Sequence, residues 1–310
     1  KGLELSRLST GVQRVLDTGV NLLVLGEAGA GKTTCLQMYA HRKMTADSNG
    51  RLVFFVPMAR LAKYARPVQT LGEPGSTHIL TAIAFFLLSL GLELSESDLE
   101  GELIRGAIVI LDGIDEVGGG LPELLDEISD LSSRFPMVQW ILSARTSGRL
   151  QFETGFIPVT LLPFSDAQRR DFAFRWFGSD QSQVETAYRI IEHLAANTEI
   201  TEVVRNPLLM TILCVLAEHN IPLPNTEVRL YKDRFDLLTG RYDLHKEIVR
   251  LRTRQEYLLS LAQKLAFRLH RGKRRDAELT TIREWAIEIL EPELGVNGSV
   301  RAVEELIDPC

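Results

Sequence analysis

The sequence predicts an α/β protein in which a parallel sheet with helices on both faces is followed by an all-helical region. In the first half, short apolar runs alternate with helical patterns, which is the order of elements in parallel sheets. Most of these runs contain few polar residues, as expected for strands that are buried on both faces. After Pro163 the patterns are almost entirely helical.

Five strands and three helices are predicted in the first half. The strands are Leu22–Leu25, Leu52–Val56, Ala107–Leu111, Trp140–Ser143 and Ile157–Leu161. The helices are Thr33–Lys43, Thr77–Leu90 and Leu121–Arg134. Two prolines and two glycines in Lys63–Ser76 predict a long loop there.

The second half is predicted to contain six helices. The first begins at a capping-box-like sequence, Ser165-Asp166-Ala167-Gln168, and runs towards Phe177. The others are Gln183–Ala196, Pro207–His219, Thr226–Tyr242, Arg254–His270 and Thr280–Glu288. In the fifth, apolar residues recur at helical spacing and form one face: Leu258, Leu261, Ala262, Leu265 and Leu269.

Composition narrows the class of protein. A chain of 310 residues is long enough for two or three compact units, and its 45% apolar and 25% charged residues are ordinary for a globular protein. The net charge of −6 argues against a protein that coats nucleic acid. Three widely spaced cysteines without metal-ligand spacing predict reduced thiols in the cytoplasm. The apolar stretch Ile79–Leu92 is too short to span a membrane.

A glycine-rich segment directly follows the first predicted strand and precedes a helix. We call it the phosphate loop, and its sequence is Gly26-Glu27-Ala28-Gly29-Ala30-Gly31-Lys32-Thr33-Thr34. The glycines let the backbone curl so that N–H groups surround an anion, and the helix N-terminus adds positive charge. Lys32 can reach the β- and γ-phosphates of a nucleotide, and the Thr33 hydroxyl can bind Mg²⁺. The alternative is a glycine-rich turn followed by an unrelated Lys-Thr pair.

A second motif supports a nucleotide site. The apolar run Ile108–Leu111 ends in Asp112, which a buried strand would deliver beside the phosphate loop to hold Mg²⁺ through water. The alternative is a strand that ends in a solvated acidic turn. Asp115 and Glu116 follow, and we expect one of the two to orient or deprotonate an attacking water. The sequence leaves open which of them has that role.

Arg145 is a charged residue that comes just after the fourth predicted strand, as Asp112 does after the third. Because ligands of open parallel sheets bind beyond the carboxyl ends of the strands, we expect Arg145 to sense the γ-phosphate or stabilise charge there. The alternative is a surface arginine paired with an acid.

The chain resembles the NACHT nucleotide-binding domain of NOD-like receptors and their bacterial relatives, a group of signal-transducing P-loop ATPases with numerous domains. The resemblance rests on the phosphate loop together with four further segments: Val56-Pro57-Met58-Ala59-Arg60-Leu61, Leu111-Asp112-Gly113-Ile114-Asp115-Glu116, Ser143-Ala144-Arg145 and Arg205-Asn206-Pro207-Leu208-Leu209. The small residue followed by paired acids is its most specific feature.

The resemblance implies an ATP/ADP-dependent switch with slow hydrolysis. ADP would hold a closed form, and ATP with an activating ligand would open it into an oligomer. Pro207 would pack against the base, although a proline also suits the first position of a helix. His270 would contact the bound diphosphate, although a helix-end histidine is also an ordinary charge partner of the helix dipole.

The resemblance also implies a domain organisation and a setting. We expect a P-loop nucleotide-binding domain over 1–162, a helical domain over 163–245 and the start of a winged-helix domain over 246–310. Because the sequence begins without Met and stops at Cys310, we expect a piece of a longer protein whose effector and sensor domains lie elsewhere. The expected setting is innate immune or antiphage signalling.

Two other functions remain compatible with the motifs. One is a continuously cycling AAA-type ATPase that acts on nucleic acid or protein, against which the negative charge and the helical second half argue. The other is a scaffold stapled by ADP that is never hydrolysed, against which Asp115 and Glu116 argue.

Overall fold

The structure is a computed structural model that describes residues 11–46, 51–61, 78–116, 121–146, 155–178, 180–238, 252–274, 277 and 279–307. The predicted loop Lys63–Ser76 lies outside these residues. The chain divides into two compact units. The first comprises Lys1–Asp166 with Asn206–Leu208, and the second comprises Ala167–Arg205 with Leu209–Cys310. We describe each unit by itself, and the bounds of the three predicted domains remain a prediction.

The first unit alternates strands and helices as predicted. Its strands are β1 (Leu22–Leu25), β2 (Val53–Pro57), β3 (Ile108–Asp112), β4 (Gln139–Ala144) and β5 (Ile157–Thr160). Its helices are α1 (Val12–Leu16), α2 (Lys32–Ala46), α3 (His78–Ser89), α4 (Glu96–Arg105) and α5 (Leu121–Arg134), with a 3₁₀ turn at Ile114–Glu116. Helices α1 and α4 are additional to the prediction.

The five strands form one parallel sheet in the order β2-β3-β4-β1-β5. Strand β4 therefore lies between β3 and β1, with Leu25 opposite Ala144 and Leu111 opposite Leu142. This order brings together the carboxyl ends of the three central strands. The phosphate loop, the acidic motif (Asp112, Asp115 and Glu116) and Arg145 each lie at one of these ends, so the fold places all three at the same edge.

Helices cover both faces of this sheet, as predicted. Alternate residues of one strand point to opposite faces, and in β1 Leu23 and Leu25 join one apolar cluster while Leu22 and Val24 join another. The first cluster contains buried residues of α3, α4 and α5, and the second contains residues of α1 and α2. This explains why β1, β3 and β4 are buried along their whole length.

The second unit is helical in all its described elements. They are α6 (Asp166–Phe177), α7 (Gln181–Ala196), α8 (Thr198–Val203), α9 (Pro207–Glu218), α10 (Glu227–Leu238), α11 (Gln255–Arg271) and α12 (Leu279–Ile307). The first residue of α6 and the first two residues of α9 belong to the first unit. Leu258, Leu261 and Leu265 of α11 pack with Ala286 and Leu290 of α12 in one buried cluster. None of the helices in the described part of the chain is long and apolar enough to cross a membrane.

Helix α12 differs most from its prediction. It was expected to end near Glu288, but it continues to Ile307 through Pro292. The break comes at Gly295, whose φ of 67° and ψ of 172° are not helical, and helical geometry resumes after it. Two helices thus follow each other across a glycine kink.

Candidate nucleotide site

The phosphate loop has the backbone geometry that its sequence predicts. Gly29 and Gly31 have φ angles of 77° and 85°, a region that residues with a side chain rarely adopt. A turn within the loop is closed by a 3.1 Å hydrogen bond from Ala30 N–H to Glu27 O. Helix α2 then begins at Lys32. The strand, the loop and the helix therefore follow one another as an anion-binding loop requires.

Lys32 lies across this loop. Its Nζ donates hydrogen bonds of 2.7 Å to Gly26 O and 3.2 Å to Glu27 O. Burial lowers the pKa of the Lys32 ammonium, and the negative charges of Asp115 and Asp112 act in the opposite direction. The cation thus interacts electrostatically with both parts of the acidic motif.

Asp112 is the centre of a hydrogen-bond chain that joins the start of helix α2 to the ends of strands β3 and β4. The Thr33 hydroxyl donates to its Oδ2 at 2.7 Å, and the Ser143 hydroxyl donates to its Oδ1 at 2.5 Å. Ser143 in turn accepts a 2.9 Å hydrogen bond from Gly113 N–H. Each oxygen of the Asp112 carboxylate is held by a different hydroxyl, which fixes the orientation of the carboxylate.

These donors fit a magnesium ion. Thr33 and Asp112 offer a hydroxyl and a carboxylate oxygen at 2.7 Å from each other, and Mg²⁺ prefers oxygen ligands of this type. Among the described residues no group of three or more His, Cys, Asp or Glu side chains could hold a metal by itself. Two protein oxygens are enough for Mg²⁺ at a nucleotide site, because this ion usually completes its shell with phosphates and water.

The two acids after Asp112 have different surroundings. Asp115 accepts a 3.2 Å hydrogen bond from Arg145 N–H, and its other oxygen lies 3.6 Å from Arg145 Nε. Glu116 is exposed, and no described residue forms a hydrogen bond with its carboxylate. The structure therefore brings Arg145 together with Asp115, which is the acid pairing that we considered as the alternative for this arginine.

The segment Asn206–Leu208 belongs to the first unit and contacts the phosphate loop. Asn206 Nδ2 donates to Ala28 O at 2.8 Å, and Leu208 N–H donates to Gly29 O at 3.2 Å. Pro207 between them is the first residue of α9, the position at which proline suits a helix. The predicted contact of Pro207 with a base stays a prediction.

His270 occupies a different environment. It is exposed in the last turn of α11, in the second unit, beside the basic residues Arg268 and Arg271. This is the place at which a histidine interacts favourably with a helix dipole. Its predicted contact with a diphosphate also stays a prediction.

Ser143 and Asn206 are the site residues that the sequence did not single out. Ser143 is the one polar residue among Trp140–Ala144 of a buried strand and is fully buried, which is a usable signal because buried hydroxyls need a partner. Asn206 precedes a proline at a helix start, a common turn position. Its partner is 178 residues away in the sequence, so no local pattern could reveal it.

Comparison with solved structures finds several similar chains. They include the ORC1 protein of Aeropyrum pernix in complex with DNA, at 18% identity over 95% of this chain and 81% of that one, with a TM-score of 0.44. A Walker-type ATPase of Pyrococcus abyssi is 17% identical over 94% and 93%, with a TM-score of 0.47. A signal transduction ATPase with numerous domains and a tetratricopeptide repeat sensor, from Pyrococcus horikoshii, is 16% identical over 82% and 37%, with a TM-score of 0.42.

A search of curated proteins finds no match. Residues 21–180, just over half of the chain, match the NACHT domain family. The matched region contains the phosphate loop, the acidic motif, Ser143 and Arg145, and so covers the hydrogen-bond chain centred on Asp112. The chain is a P-loop NTPase and belongs to the NACHT domain family.

Proposed function

We propose that this chain is an adenine-nucleotide-dependent conformational switch that binds ATP and ADP with Mg²⁺ and hydrolyses ATP slowly. The observation that carries the proposal is the pairing of Arg145 with Asp115 at the carboxyl edge of the sheet. Arg145 already has a carboxylate partner, and the γ-phosphate of ATP would compete for the same guanidinium. ATP and ADP would therefore leave Arg145 with different partners.

The weakness of the ion pair between Arg145 and Asp115 favours an exchange of Asp115 for the γ-phosphate. The Arg145 side chain is 64% exposed and lies 3.6 Å from Asp115, and exposed ion pairs contribute only about 0–1 kcal/mol. A hydrogen bond to a charged group contributes about 1.5–3 kcal/mol, so a phosphate oxygen can displace Asp115. Moving a population from 1:99 to 99:1 takes about 5.5 kcal/mol of differential binding. Arg145 would supply part of this, and contacts of Pro207 and His270 would supply more.

The other residues of the site bind and orient the nucleotide. Lys32 would exchange its two loop carbonyls for phosphate oxygens, and the N–H groups of the phosphate loop would surround the phosphates. Thr33 and Asp112 would hold Mg²⁺, which neutralises phosphate charge when bound. Ser143 keeps the Asp112 carboxylate turned towards Thr33.

We assign preparation of the attacking water to Glu116. Asp115 is occupied by Arg145, whereas the exposed Glu116 carboxylate has no hydrogen-bond partner among the described residues. A general base must reach its proton directly or through one water, and a carboxylate without a partner can do so. Asp115 would instead hold Arg145 until a γ-phosphate arrives.

Family membership is the basis for the wider part of the proposal. We propose that the switch serves innate immune or antiphage signalling in the cytoplasm, that it self-associates when ATP is bound, and that nucleic acid is not its partner. Rapid turnover stimulated by DNA or unfolded protein would contradict this and favour a continuously cycling ATPase. Binding of ADP without any hydrolysis of ATP would favour the scaffold.

The switch is tested by measuring the affinities of wild type and Arg145→Ala for Mg-ADP and for a non-hydrolysable Mg-ATP analogue. We expect the variant to bind the ATP analogue about tenfold more weakly, while its affinity for ADP stays within about twofold, because only ATP carries the γ-phosphate. Arg105→Ala is the control, since Arg105 is an exposed arginine paired with Glu102 on α4. Equal losses for the two nucleotides in Arg145→Ala would contradict the proposal.

Nucleotide-dependent self-association is measured by sedimentation velocity of the wild type with each nucleotide. We expect the ATP analogue to shift the sedimentation coefficient relative to ADP, and Arg145→Ala to lose that shift. Identical sedimentation of the wild type with both nucleotides would contradict the oligomerisation part of the proposal.

A further inference from the structure

The side chain of Asn206 spans between the phosphate loop and the backbone at the start of α9. Its Nδ2 donates to Ala28 O at 2.8 Å, while its Oδ1 accepts from Leu208 N–H at 3.0 Å. A carbonyl can only accept and an N–H can only donate, so these two partners fix which end of the amide faces the loop. Asn206 is therefore held in one orientation.

A second hydrogen bond lies beside the first. Leu208 N–H is shared between Asn206 Oδ1 and Gly29 O, at 3.0 Å and 3.2 Å. The segment Asn206–Leu208 thus binds two consecutive carbonyl groups of the phosphate loop, those of Ala28 and Gly29. One of these bonds comes from a side chain and the other from the backbone.

The close approach depends on the absence of a side chain at Gly29. A Cβ atom on Gly29 would lie 2.8 Å from Asn206 Oδ1 and 2.8 Å from Leu208 Cβ, which is shorter than non-bonded contacts permit. Gly29 also has a φ of 77°. This glycine therefore meets two requirements, the curl of the loop and the contact with Asn206–Leu208.

Peptide geometry connects these carbonyls to the phosphate-binding groups. The Ala28 carbonyl and the Gly29 N–H belong to the same planar trans peptide and point in opposite directions. Holding Ala28 O towards Asn206 therefore turns the Gly29 N–H away from Asn206. Backbone N–H groups are what a phosphate loop offers to its anion, so the hydrogen bond to Ala28 O orients one of the donors in advance.

We propose that Asn206 is a positioning residue for the phosphate loop, and that phosphate binding and the contact of Asn206–Leu208 with the loop stabilise each other. The proposal rests on the proposed function in taking the loop as the nucleotide site. Coupling between two binding events is reciprocal, so bound nucleotide strengthens the hold on Asn206–Leu208. The chain neighbours of this segment, Arg205 and Leu209, belong to the second unit, so the nucleotide acts on a segment continuous with that unit.

The first experiment compares nucleotide affinities of wild type and Asn206→Ala. Without the amide, only a fraction of the molecules hold the phosphate loop in the conformation that binds nucleotide. The apparent affinity falls in proportion to that fraction. We expect about fivefold weaker binding, as for one lost hydrogen bond, and the same factor for Mg-ADP and a non-hydrolysable Mg-ATP analogue. Equal factors are expected because the loop contacts phosphates that both nucleotides carry, and they distinguish Asn206 from a residue that reads the γ-phosphate.

Asn197→Ala is the matched control. Asn197 Nδ2 also donates a 2.8 Å hydrogen bond to a backbone carbonyl, that of His193 in the second unit. We expect its nucleotide affinities to stay within about twofold of wild type. If folded Asn206→Ala binds both nucleotides as tightly as wild type, the proposal is wrong, whereas a wild type that binds neither would overturn the proposed function as well.

The variant Asn206→Asp distinguishes the role of the amide oxygen from that of the amide nitrogen. The carboxylate can still accept from Leu208 N–H, but it has no donor for Ala28 O. We expect a loss of affinity at least as large as that of Asn206→Ala, because a negative oxygen would face a carbonyl. Wild-type affinity in Asn206→Asp would show that the bond to Ala28 O does not position the loop.

Hydrogen exchange on the unaltered protein tests the coupling without any variant. Adding saturating Mg-ADP should slow exchange of the Leu208 amide, read from peptides spanning 206–210, at least about fivefold. The reference is a peptide from α7, which reports general stabilisation of the second unit. If Mg-ADP slows amide exchange in 206–210 no more than in α7, the coupling is absent and the proposal fails. This result does not depend on whether Asn206→Ala can be purified in a folded form.

Discussion

The Ser143 hydroxyl donates a 2.5 Å hydrogen bond to Asp112 Oδ1 and accepts one of 2.9 Å from Gly113 N–H. One serine at the end of β4 thereby holds both the side chain of Asp112 and the backbone that follows it. Ser143 is fully buried. The other carboxylate oxygen of Asp112 accepts a hydrogen bond from the Thr33 hydroxyl. Ser143 therefore supports the proposed metal ligand through the carboxylate oxygen that Thr33 does not bond.

Ser143→Ala should weaken the dependence of nucleotide binding on magnesium. Outer-shell partners of metal ligands typically contribute 10–100-fold in metal affinity, and we expect the Mg²⁺ concentration for half-maximal nucleotide binding to rise about tenfold. Affinity measured in the presence of a chelator should not change. The measurement is a Mg²⁺ titration at fixed fluorescent ADP.

Ser299→Ala is the control for loss of a buried hydroxyl. Ser299 is fully buried as well, but its hydroxyl donates to Gly295 O at 2.8 Å in the second unit. This variant should lower thermal stability without changing the Mg²⁺ requirement. If folded Ser143→Ala needs the same Mg²⁺ concentration for half-maximal nucleotide binding as wild type, Ser143 does not support the metal ligand.

Lys32→Ala should abolish nucleotide binding while the fold survives. Within the described part of the chain the ammonium donates hydrogen bonds to the loop carbonyls of Gly26 and Glu27 alone, so its removal breaks no hydrogen bond between helices and strands. We expect at least about a hundredfold loss of affinity from the missing charge-assisted hydrogen bonds to phosphate, with the circular dichroism spectrum retained. Lys43→Ala removes another cation of α2, one that pairs with Asp17 at the end of α1, and this variant should bind normally. Unchanged affinity in Lys32→Ala would mean that the site lies elsewhere.

Glu116→Gln and Asp115→Asn should have different effects on hydrolysis. If Glu116 prepares the water, Glu116→Gln lowers the single-turnover rate about a hundredfold or more and leaves ATP binding intact. Asp115→Asn weakens the hold on Arg145 and should change the rate far less. Rapid-quench measurements on both variants decide between the acids, and the opposite order of effects would assign the base to Asp115.

Glu305 should stabilise the second unit in a pH-dependent way. Burial raises the pKa of its carboxyl, but hydrogen bonds from the backbone N–H groups of Arg252 and Thr253 and the positive charge of Arg301 outweigh this, so the pKa is lowered overall. Its stabilisation is therefore present above the ordinary pKa of glutamic acid and is lost as pH falls through the lowered folded-state pKa.

We expect Glu305→Ala to lower the free energy of unfolding by about 1–3 kcal/mol at neutral pH. The difference from wild type should shrink towards zero in acid, as measured by urea denaturation between about pH 7 and 3. Glu304→Ala is the control, since Glu304 forms an exposed pair with Arg283 that contributes at most about 1 kcal/mol. A difference between Glu305→Ala and wild type that is independent of pH would exclude the carboxylate as its cause.

The sheet could be predicted from the sequence because its strands are apolar runs with clear boundaries. β1 and α5 match their predicted bounds, and the other strands differ by a residue or two. Helix α4 was missed although it has a signal: Ser95 and Asp98 form a capping box at its start. Helix α12 was predicted to end at Glu288, ahead of Pro292, whereas packing against α11 holds the chain helical on both sides of the kink.

The site was predictable where its chemistry is local. The phosphate loop and Asp112 follow strand ends, so the order of the strands suffices to bring them together. The links that hold them depend on contacts between distant segments: Ser143 reaches Asp112 across 31 residues, and Asn206 reaches Ala28 across 178. No periodic pattern in the sequence indicates which distant residues form such hydrogen bonds. The partner of Arg145 was likewise open until the structure placed Asp115 beside it.

The two outer strands of the described sheet each contain a proline, Pro57 in β2 and Pro158 in β5, and the three inner strands contain none. Proline has no N–H to donate to a neighbouring strand, and short edge strands with proline are a device against edge-to-edge aggregation. A protein proposed to self-associate on demand would be harmed by a sheet that could add strands at any time. The proposed self-association should therefore proceed through side-chain surfaces rather than by adding strands to the two edges of the described sheet.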